Sequence, residues 1–460
     1  MNQHTPSFHQ RLFVLLLVLL PTQLGLHFWP EWSTLLGRRI DYFSPTVYFT
    51  DIVVAAILLL WFTEKESWRK QYESWKKQRT IIPLLIPVSV FVFANIFFAT
   101  NRFIAMYDWM KFVEFVLLGW YVVNTKPPFH FVALGLSIAV AYSSILAIAQ
   151  FILQHSVGGW LWWIGERTFS VSTPGIARMT ACITSVFSCQ LVLRPYATFP
   201  HPNVLGGFLA VTLPIIYVAL CDKRLEYMGM TTLKKRIGWT VFVLGSIGLC
   251  ITMSRSAVLV GAAAIIVLMG NRMRREYARR KSKSNVHMFI RSPLLKRAAV
   301  LTSITVIAVL GILVLRRFIP NDESIDIRTH LNAAALAEWM TSPIIGVGLG
   351  NFLTHLPDIY VLRPVSFLQP VHNIYLLILS ETGLVGGVTF LVLVVLTIKG
   401  YVVRIMDEKD PDNAGFHTYL MSFVGLLLLG LVDHYPLTLQ QGQLLFTIIF
   451  SLSYSHRVSS

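Results

Sequence analysis

The stretch QPVHNIYLLILSETGLVGGVTFLVLVVLTIKG, residues 369–400, decides the fold class of this chain. Its apolar part exceeds the roughly 20 residues that a helix needs to cross a bilayer core of about 30 Å. Similar apolar runs recur from end to end, and 55% of the 460 residues are hydrophobic while only 13% are charged. Because lipid cannot satisfy backbone hydrogen-bonding groups and no alternating strand pattern is visible, these runs predict an all-α polytopic membrane protein.

The apolar runs predict about twelve spans, which start near residues 12, 46, 81, 105, 129, 203, 238, 257, 298, 373 (interrupted at 381–383), 415 and 438. The linkers alternate in charge, and the positive-inside rule assigns the basic ones, including the inner loop 271–297, to the cytoplasm. Both termini are then cytoplasmic and residues 1–460 form one transmembrane domain. Two long loops, residues 154–202 and 316–372, lie outside. The second holds a predicted helix, DIRTHLNAAALAEWM, and a glycine-rich turn, GVGLG.

The predicted outer face carries a distinctive set of basic residues. Lysines make up 13 of the 27 basic residues assigned to the inside, whereas all eleven on the outside are arginine: Arg38, Arg39, Arg102, Arg167, Arg178, Arg194, Arg255, Arg316, Arg317, Arg328 and Arg363. Guanidinium groups can grip phosphate oxygens at two points, so the set favours a phosphate-bearing ligand. A general avoidance of lysine in outer loops is the alternative. The net charge of +16 thus reflects topology, and nucleic-acid binding is not expected.

The four cysteines are interpreted as small buried apolar residues. Cys182 and Cys189 are seven residues apart, which on a helix is a rise of about 10 Å and too far for a disulfide.

Three stretches near the outer face hold candidate functional residues. The first, LRPYATFPHPNVLGGFLAVTLP (residues 193–214), carries Arg194, and Asn203 is expected to cap the helix that follows. Gly206 in the same stretch would let a neighbouring element approach closely. The second surrounds Arg328, and Arg255 in TMSRSA is a further candidate at the tip of a hairpin between two spans. His201, His330, His355 and His434 are assigned structural roles.

The third stretch begins at His372. On a continuous helix, Gly383 would lie about 20° round from the histidine and roughly 16 Å deeper. Gly383 and Gly387 would form a thin face for another helix. Glu381 would lie on the opposite side of the helix, so we expect it to make a polar contact inside the membrane and not to pair with His372.

Together these stretches resemble the bacterial O-antigen ligase and polymerase-like membrane glycosyltransferases. The ligase signature is matched by His372, Asn373, nine residues, Gly383, two residues and Gly386. A second pattern, R…TF…PN.LGGFLA, starts at Arg194, with Ala197 where the family often has glycine. A third, R…A…W…SPIIGVGLGNF, starts at Arg328. The resemblance covers residues 190–455 well, and the first half only in topology.

The resemblance implies a GT-C-like fold and transfer of a glycan from undecaprenyl diphosphate to an acceptor at the outer face of the bacterial inner membrane, as in lipopolysaccharide assembly. Arg194 and Arg328 would stabilise the leaving diphosphate, and His372 would be the general base. Arg255, Asn203 and Asn373 would contact substrate, with Gly383 and Gly386 structural. The partners are then the lipid-linked glycan, a glycan or lipid-core acceptor and membrane lipids. No cofactor or metal is expected, since the outer acidic residues are scattered.

Two alternatives remain open at this stage. The first is a polymerase that joins lipid-linked repeat units, which needs the same grip on the diphosphate and differs only in the acceptor. The second is a transporter or flippase, although no internal repeat is visible and only Asp51, Asp108, Lys111, Glu114 and Glu381 are charged within predicted spans.

Overall fold

A computed structural model describes residues 7–64, 82–182, 189–222, 231–281, 323–359, 368–405 and 413–455. The helices are α1 (Phe8–Leu19), α2 (Phe49–Thr63), α3 (Ile82–Phe97), α4 (Arg102–Thr125), α5 (Phe129–Leu153), α6 (Pro202–Cys221), α7 (Thr232–Ile251), α8 (Arg255–Lys281), α9 (Glu323–Thr341), α10 (Phe352–Ile359), α11 (Ile374–Ile405), α12 (Asn413–Gly430), α13 (Tyr435–Thr438) and α14 (Gln440–Ser455). Every predicted span within the described ranges coincides with a helix. Some predicted features lie outside those ranges: the span near residue 298, and Arg316, Arg317 and Arg363.

Four described helices are long and apolar enough to cross a membrane: Phe129–Leu153, Pro202–Cys221, Arg255–Met273 and Ile374–Gly400. Shorter apolar helices accompany them at Phe8–Leu19, Phe49–Thr63, Ile86–Phe97 and His417–Gly430. The mainly helical, membrane-type architecture predicted from the sequence is therefore confirmed. The count of twelve spans and the GT-C-like topology stay predictions.

The all-α prediction missed three small two-stranded antiparallel sheets. Their strands are β1 (Gly25–His27) with β4 (Thr46–Tyr48), β2 (Thr34–Leu35) with β3 (Arg38–Arg39), and β5 (Arg178–Cys182) with β6 (Cys189–Leu193). In the last sheet the backbones of Cys182 and Cys189 are paired directly opposite each other. The helical spacing used to separate these two cysteines was therefore wrong, because they lie on paired antiparallel strands and not on one helix.

The described residues fall into two compact units. The first unit comprises residues 1–127, 322–410 and 430–460, and the second comprises 128–321 and 411–429. The single domain predicted over residues 1–460 stays a prediction.

Glycines allow close helix packing in the second unit, where α6 is the central helix and 89% of its apolar window is buried. A Cβ atom at Gly245 of α7 would lie 2.7 Å from Leu213 and 2.8 Å from Val140, so α7 packs against both α6 and α5. On α8, a Cβ atom at Gly261 would lie 3.1 Å from the Ala210 Cα atom. Small residues at helix crossings are typical of membrane proteins, where backbones must approach closely to gain packing contacts.

Polar contacts accompany the apolar packing in the first unit. Lys111 on α4 lies 2.8 Å from Asp51 Oδ1 and 2.7 Å from Glu114 Oε2. Gln440 Nε2 at the start of α14 also donates to Asp51 Oδ1. Three of the five charged residues predicted within spans therefore contact one another, with one ammonium group shared by two carboxyl groups, and pairing of this kind is typical of ionisable residues in an apolar surrounding.

Candidate active site

His372 lies immediately before α11, and the start of this helix is fixed by its neighbour Asn373. Asn373 Oδ1 accepts hydrogen bonds from Tyr375 N at 2.9 Å and Leu376 N at 3.1 Å, which is the geometry of a helix N-cap. Its amide also donates to Leu431 O at 3.3 Å. Asn373 thus has a structural task that the sequence did not reveal, and substrate contact by this residue stays a prediction.

The contact between Asn373 and Leu431 brings a second pair of polar residues to His372. At the end of α12, a Cβ atom at Gly430 would lie 2.4 Å from Ile374 Cδ1, so only a glycine permits this approach. The chain then turns at residues 431–434 and places His434 against His372, with ring centroids 4.9 Å apart and the planes at 82°. The structural role assigned to His434 stays a prediction, whereas its contact with His372 was not predicted, because it depends on the turn after α12 packing on the start of α11.

The cluster of His372, Asp433 and His434 is compact. One ligating atom from each of these side chains lies within 4.8 Å of the other two. Asp433 is buried and its Oδ1 accepts the backbone N–H of His434 at 2.9 Å. Tyr42 lies edge-on to His434 with centroids 5.7 Å apart, and burial, followed by the charges of Asp433 and Asp41, raises the pKa of Tyr42. The phenol is therefore neutral at physiological pH.

Helix α9 brings Arg328 to the same cluster. Leu331, Ala334 and Ala335 of α9 belong to a buried apolar cluster that also contains Val371 and Leu377, on either side of His372 in sequence. Arg328 lies one turn before Leu331 on this face. Its positive charge contributes to lowering the pKa of the His372 imidazole. The predicted helix is confirmed, and within the first unit it brings together two of the three predicted catalytic residues.

His372 is held in its neutral form. Burial lowers the pKa of His372, and the Arg328 guanidinium adds to the lowering. The Asp433 carboxylate and a hydrogen bond with the Pro370 backbone act in the opposite direction. Within the described residues, His372 Nδ1 is buried and makes no hydrogen bond. Buried polar atoms are satisfied in the great majority of cases, so an exception next to a cation indicates a group kept for a ligand.

In the first half of α9, two further buried polar atoms lack a hydrogen-bond partner in the described part of the chain. They are Arg328 Nε and, one turn later, Asn332 Oδ1. A guanidinium N–H donates to anions and an amide oxygen accepts from hydroxyl groups. Helix α9 thus offers one donor and one acceptor on the face that carries Arg328. Asn332 was not singled out by sequence reasoning, although its spacing of four residues from Arg328 is the signal that could have found it.

Helix α11 is broken at Gly383, and the glycine-rich turn fills the break. Gly383 has φ of 63° and ψ of −164°, and a Cβ atom there would lie 2.3 Å from the Ile344 backbone. Leu384 N donates to Pro343 O at 2.8 Å, while Val347 N donates to Ser380 O at 2.9 Å. The turn therefore satisfies backbone groups that the break frees, as membrane helices require.

The prediction that glycines below His372 pack against another helix is wrong. Gly383 contacts the backbone of a loop and not another helix. Gly386 faces Thr382 of its own helix, and a Cβ atom at Gly387 would meet only Leu379, at 3.5 Å. The continuous-helix geometry fails because Gly383 adopts a left-handed conformation that an α-helix does not contain.

Glu381 makes the polar contact that was expected of it. Its Oε1 accepts Phe352 N at 3.3 Å, and its backbone oxygen accepts from Asn95 Nδ2 at 2.9 Å. Nearby on α9, Glu338 is buried, and neither of its carboxylate oxygens has a hydrogen-bond partner in the described ranges. Burial, with a further contribution from Glu381, raises the pKa of Glu338 to about 9. Glu338 is therefore protonated at neutral pH.

Arg194 belongs to the second unit and is held there by two acceptors. Its Nε donates to Thr252 O at 2.9 Å, and its Nη2 donates to Asn203 Oδ1 at 2.7 Å. Thr252 lies three residues before Arg255, in a turn that presses on Gly206, where a Cβ atom would lie 3.0 Å from Thr252 Oγ1. The close approach predicted for Gly206 is confirmed. The contact of Asn203 with substrate stays a prediction, since its oxygen orients Arg194.

The start of α6 differs from its prediction in one respect. His201, not Asn203, is the N-cap, and its Nδ1 accepts from Asn203 N at 3.1 Å. The proline at position 202 is the first helical residue, so the cap lies two residues earlier than predicted. His201 therefore has the structural role that was expected of it.

The segment before α6 is braced by one buried glutamine. Ala197 has a φ of 50°, in the left-handed region that glycine adopts most readily. Gln150 Oε1 accepts Ala197 N at 2.7 Å, and Gln150 Nε2 donates to Ala197 O at 3.0 Å. The same Nε2 donates to Glu166 Oε1 at 2.8 Å. These bonds hold a strained alanine three residues after Arg194.

The predicted outer arginines fall into two groups in the described part of the chain. The side chains of Arg194, Arg255 and Arg328 are half-buried. The others are exposed: Arg38, Arg39, Arg102, Arg167 and Arg178. Some exposed members pack on rings or backbone carbonyls, such as Arg102, which lies over Phe97 and donates to the Phe97 carbonyl. The candidate functional arginines are thus half-buried, whereas the other described arginines of the outer set are exposed.

A comparison with protein families identifies the chain's relatives. Residues 240–391, about a third of the chain, match the family described as O-antigen ligase. This match supports the resemblance to O-antigen ligases that the motifs show, and the matched range includes Arg255, Arg328 and His372. The family implies a ligase or polymerase-like glycosyltransferase activity with lipid-linked glycan and acceptor substrates. A search of curated proteins found no match.

Proposed function

We propose that this O-antigen ligase-like chain transfers a glycan from undecaprenyl diphosphate to a hydroxyl group of a separate acceptor, at the outer face of the cytoplasmic membrane. The observation that carries the proposal is the buried, unpartnered Nδ1 of His372 beside Arg328. A neutral imidazole with an unused nitrogen, next to a cation, suits a reaction that removes a proton and creates phosphate charge.

The reaction is an inverting displacement at the anomeric carbon and does not require a metal ion. The acceptor hydroxyl gives its proton to His372 while its oxygen forms a bond to the anomeric carbon. The bond from that carbon to the phosphate oxygen breaks, and its electron pair leaves with the lipid diphosphate. The protonated imidazole later releases the proton to water. Asp433 stabilises the imidazolium that forms, because its carboxylate favours the charged ring.

Arg328 neutralises the charge that develops on the leaving diphosphate. Its Nε–H has no protein partner among the described residues, so a phosphate oxygen can accept it without displacing an existing bond. Asn332 Oδ1, one turn along α9, is suited to accept from a sugar hydroxyl. Removing a single donor of this kind typically lowers turnover by about 10² to 10³-fold.

Arg194 is a second phosphate-binding residue in this proposal. The bonds to Thr252 O and Asn203 Oδ1 fix its guanidinium plane in advance. A fixed plane reduces the entropy lost on binding, which favours tight and oriented recognition of a diphosphate. Arg255 follows the same turn and adds positive charge.

Ligase and polymerase activities are separated by their acceptors. Purified full-length protein is incubated with lipid-linked glycan, with and without a lipid A core acceptor, and the products are resolved by mass. A ligase produces glycosylated acceptor only when acceptor is present. A polymerase instead lengthens the lipid-linked glycan without acceptor. Absence of both products, from protein shown to be folded, would contradict the proposal.

A further inference from the structure

The side chains of His372, Asp433 and His434 supply three donors of the type that binds transition metals. Their ligating atoms lie within 4.8 Å of one another, and Asp433 and His434 are buried while His372 is half-buried. An ion about 2.0 to 2.2 Å from each donor would draw these atoms to roughly 3 to 3.6 Å apart. Rotation of the side chains can supply this contraction of about 1 Å, since the three residues lie at the start of a helix and in a turn.

His434 is held in the orientation that metal-ligating histidines usually have. Thr438 Oγ1 donates to His434 O at 3.2 Å and lies 2.6 Å from His434 Nδ1. With the single hydroxyl proton directed to the carbonyl, the tautomer that fits both contacts carries its proton on Nδ1, which donates to the hydroxyl oxygen. The lone pair of the ring is then on Nε2. A ring nitrogen that donates to an outer partner while the other nitrogen binds the ion is the common arrangement around bound zinc.

His372 supplies an independent sign of a ligand. Its Nδ1 is buried and makes no hydrogen bond within the described residues. Two imidazole nitrogens and one carboxylate oxygen form a donor set typical of zinc sites that keep a fourth position open. Calcium and magnesium prefer oxygen donors, so the set selects against them.

We propose that His372, Asp433 and His434 form a binding site for one divalent transition-metal ion of the Zn²⁺ type, and that an ion bound there blocks glycan transfer. No covalent bond changes. The ion takes a nitrogen lone pair of His372 and places a double positive charge where the imidazolium would form.

The inhibitory half of the proposal rests on the proposed function, since the blocked step is proton removal by His372. The binding half does not. The two halves are therefore tested by separate measurements, and failure of one is distinguishable from failure of the other.

The binding half is tested with Co²⁺ as a spectroscopic probe on purified full-length protein without substrate. We expect one Co²⁺ per chain, with visible absorption bands of low-coordinate nitrogen and oxygen ligation, displaced by one equivalent of Zn²⁺. Asp433→Asn and His434→Gln are expected to abolish the bands, whereas His130→Gln, in the second unit, keeps them. No bands in the wild type, or unchanged bands in both cluster variants, would overturn the site.

A milder variant covers the case in which a cluster substitution unfolds the protein. Thr438→Val removes only the hydroxyl that orients His434. Loss of such an outer partner is expected to weaken Co²⁺ binding about 10 to 100-fold. Unchanged affinity in a folded Thr438→Val protein would contradict the assigned orientation of His434.

The inhibitory half is tested in the transfer assay with Zn²⁺ added and then removed by a chelator. Saturating Zn²⁺ is expected to lower transfer by about 10²-fold or more, the usual contribution of a general base, and chelation should restore it. Full activity at a Zn²⁺ concentration that saturates the site, or activation by Zn²⁺, would overturn the inhibition. If the wild type shows no transfer in any condition, the proposed function fails while the Co²⁺ result still decides the site.

Discussion

Arg194 and Arg328 head two motifs of the same family pattern, yet their surroundings are opposite. Arg194 is gripped by Asn203 and Thr252 before any ligand arrives. Arg328, like the neighbouring His372, keeps a buried polar atom without a hydrogen-bond partner in the described chain. The second unit thus fixes its arginine in advance, whereas the first unit leaves donors and acceptors unsatisfied. In the proposed function, this difference assigns the chemistry to His372 and Arg328 and oriented binding to Arg194.

The largest effect is expected from His372→Gln. Loss of the proton acceptor should lower transfer by about 10² to 10⁴-fold, because glutamine keeps polarity and approximate size but takes up no proton. The measurement is the initial rate of glycan transfer by purified protein. His355→Gln is the matched control, since His355 bonds to Thr100 Oγ1 and has no role in the reaction. Equal losses in the two variants would contradict the assignment.

Arg328→Lys is expected to have the next largest effect. Lysine keeps the charge but loses the planar guanidinium, so transfer should fall by about 10²-fold even though the net charge is unchanged. The control is Arg38→Lys, which changes an exposed arginine of the same predicted outer set and should retain the wild-type rate. A wild-type rate for Arg328→Lys would mean that a charge alone is enough.

Asn203→Ala tests whether the hydrogen bonds that hold Arg194 matter for transfer. Removing the acceptor of Arg194 should lower transfer by about tenfold, through a higher KM for the donor, and the free energy of unfolding by about 1 kcal/mol. Both values are measured on the same preparation. If Arg194 were as unconstrained as Arg328, the variant would change neither value.

Much of the helical layout could be predicted from the sequence, because each apolar run is its own signal. The site was harder to predict. His434 reaches His372 only through Gly430 and the bond from Asn373 to Leu431, which connect segments about sixty residues apart. Periodicity along one helix contains no information about such a contact. The break at Gly383 was visible as an interruption, but its partner, the loop at Pro343 and Ile344, was not.

The sequence analysis missed the three two-stranded sheets for a related reason. Strands of two to five residues within long loops have too few residues to show a period, and their pairing depends on distant segments. Ala197 shows the converse case. Its departure from the family's glycine was visible in the sequence, but the physical reason, a positive φ braced by Gln150, required the structure.

Glu338→Gln is expected to have the smallest effect on transfer, and it acts on stability. The folded pKa of Glu338 is raised by burial to about 9 from an ordinary 4.5. The folded state therefore holds a proton that the unfolded state releases between these values, and stability falls as pH rises, by up to about 1.4 kcal/mol per pH unit. Glutamine does not ionise, so the stability of the variant lacks this dependence on pH.

The measurement is the melting temperature in detergent at several pH values. We expect the variant to be more stable than the wild type, with a gap that widens from about pH 5 to pH 8. A gap that stays constant with pH would show that Glu338 is not the group responsible.

The central claim is that His372 Nδ1 makes no hydrogen bond within the described residues because the transfer reaction uses this group. The most direct test measures transfer rate and melting temperature together for His372→Leu. Replacing a buried polar group that lacks a partner by an apolar one should leave the melting temperature equal or higher, while transfer is lost. A marked fall in melting temperature, or transfer at the wild-type rate, would contradict the account.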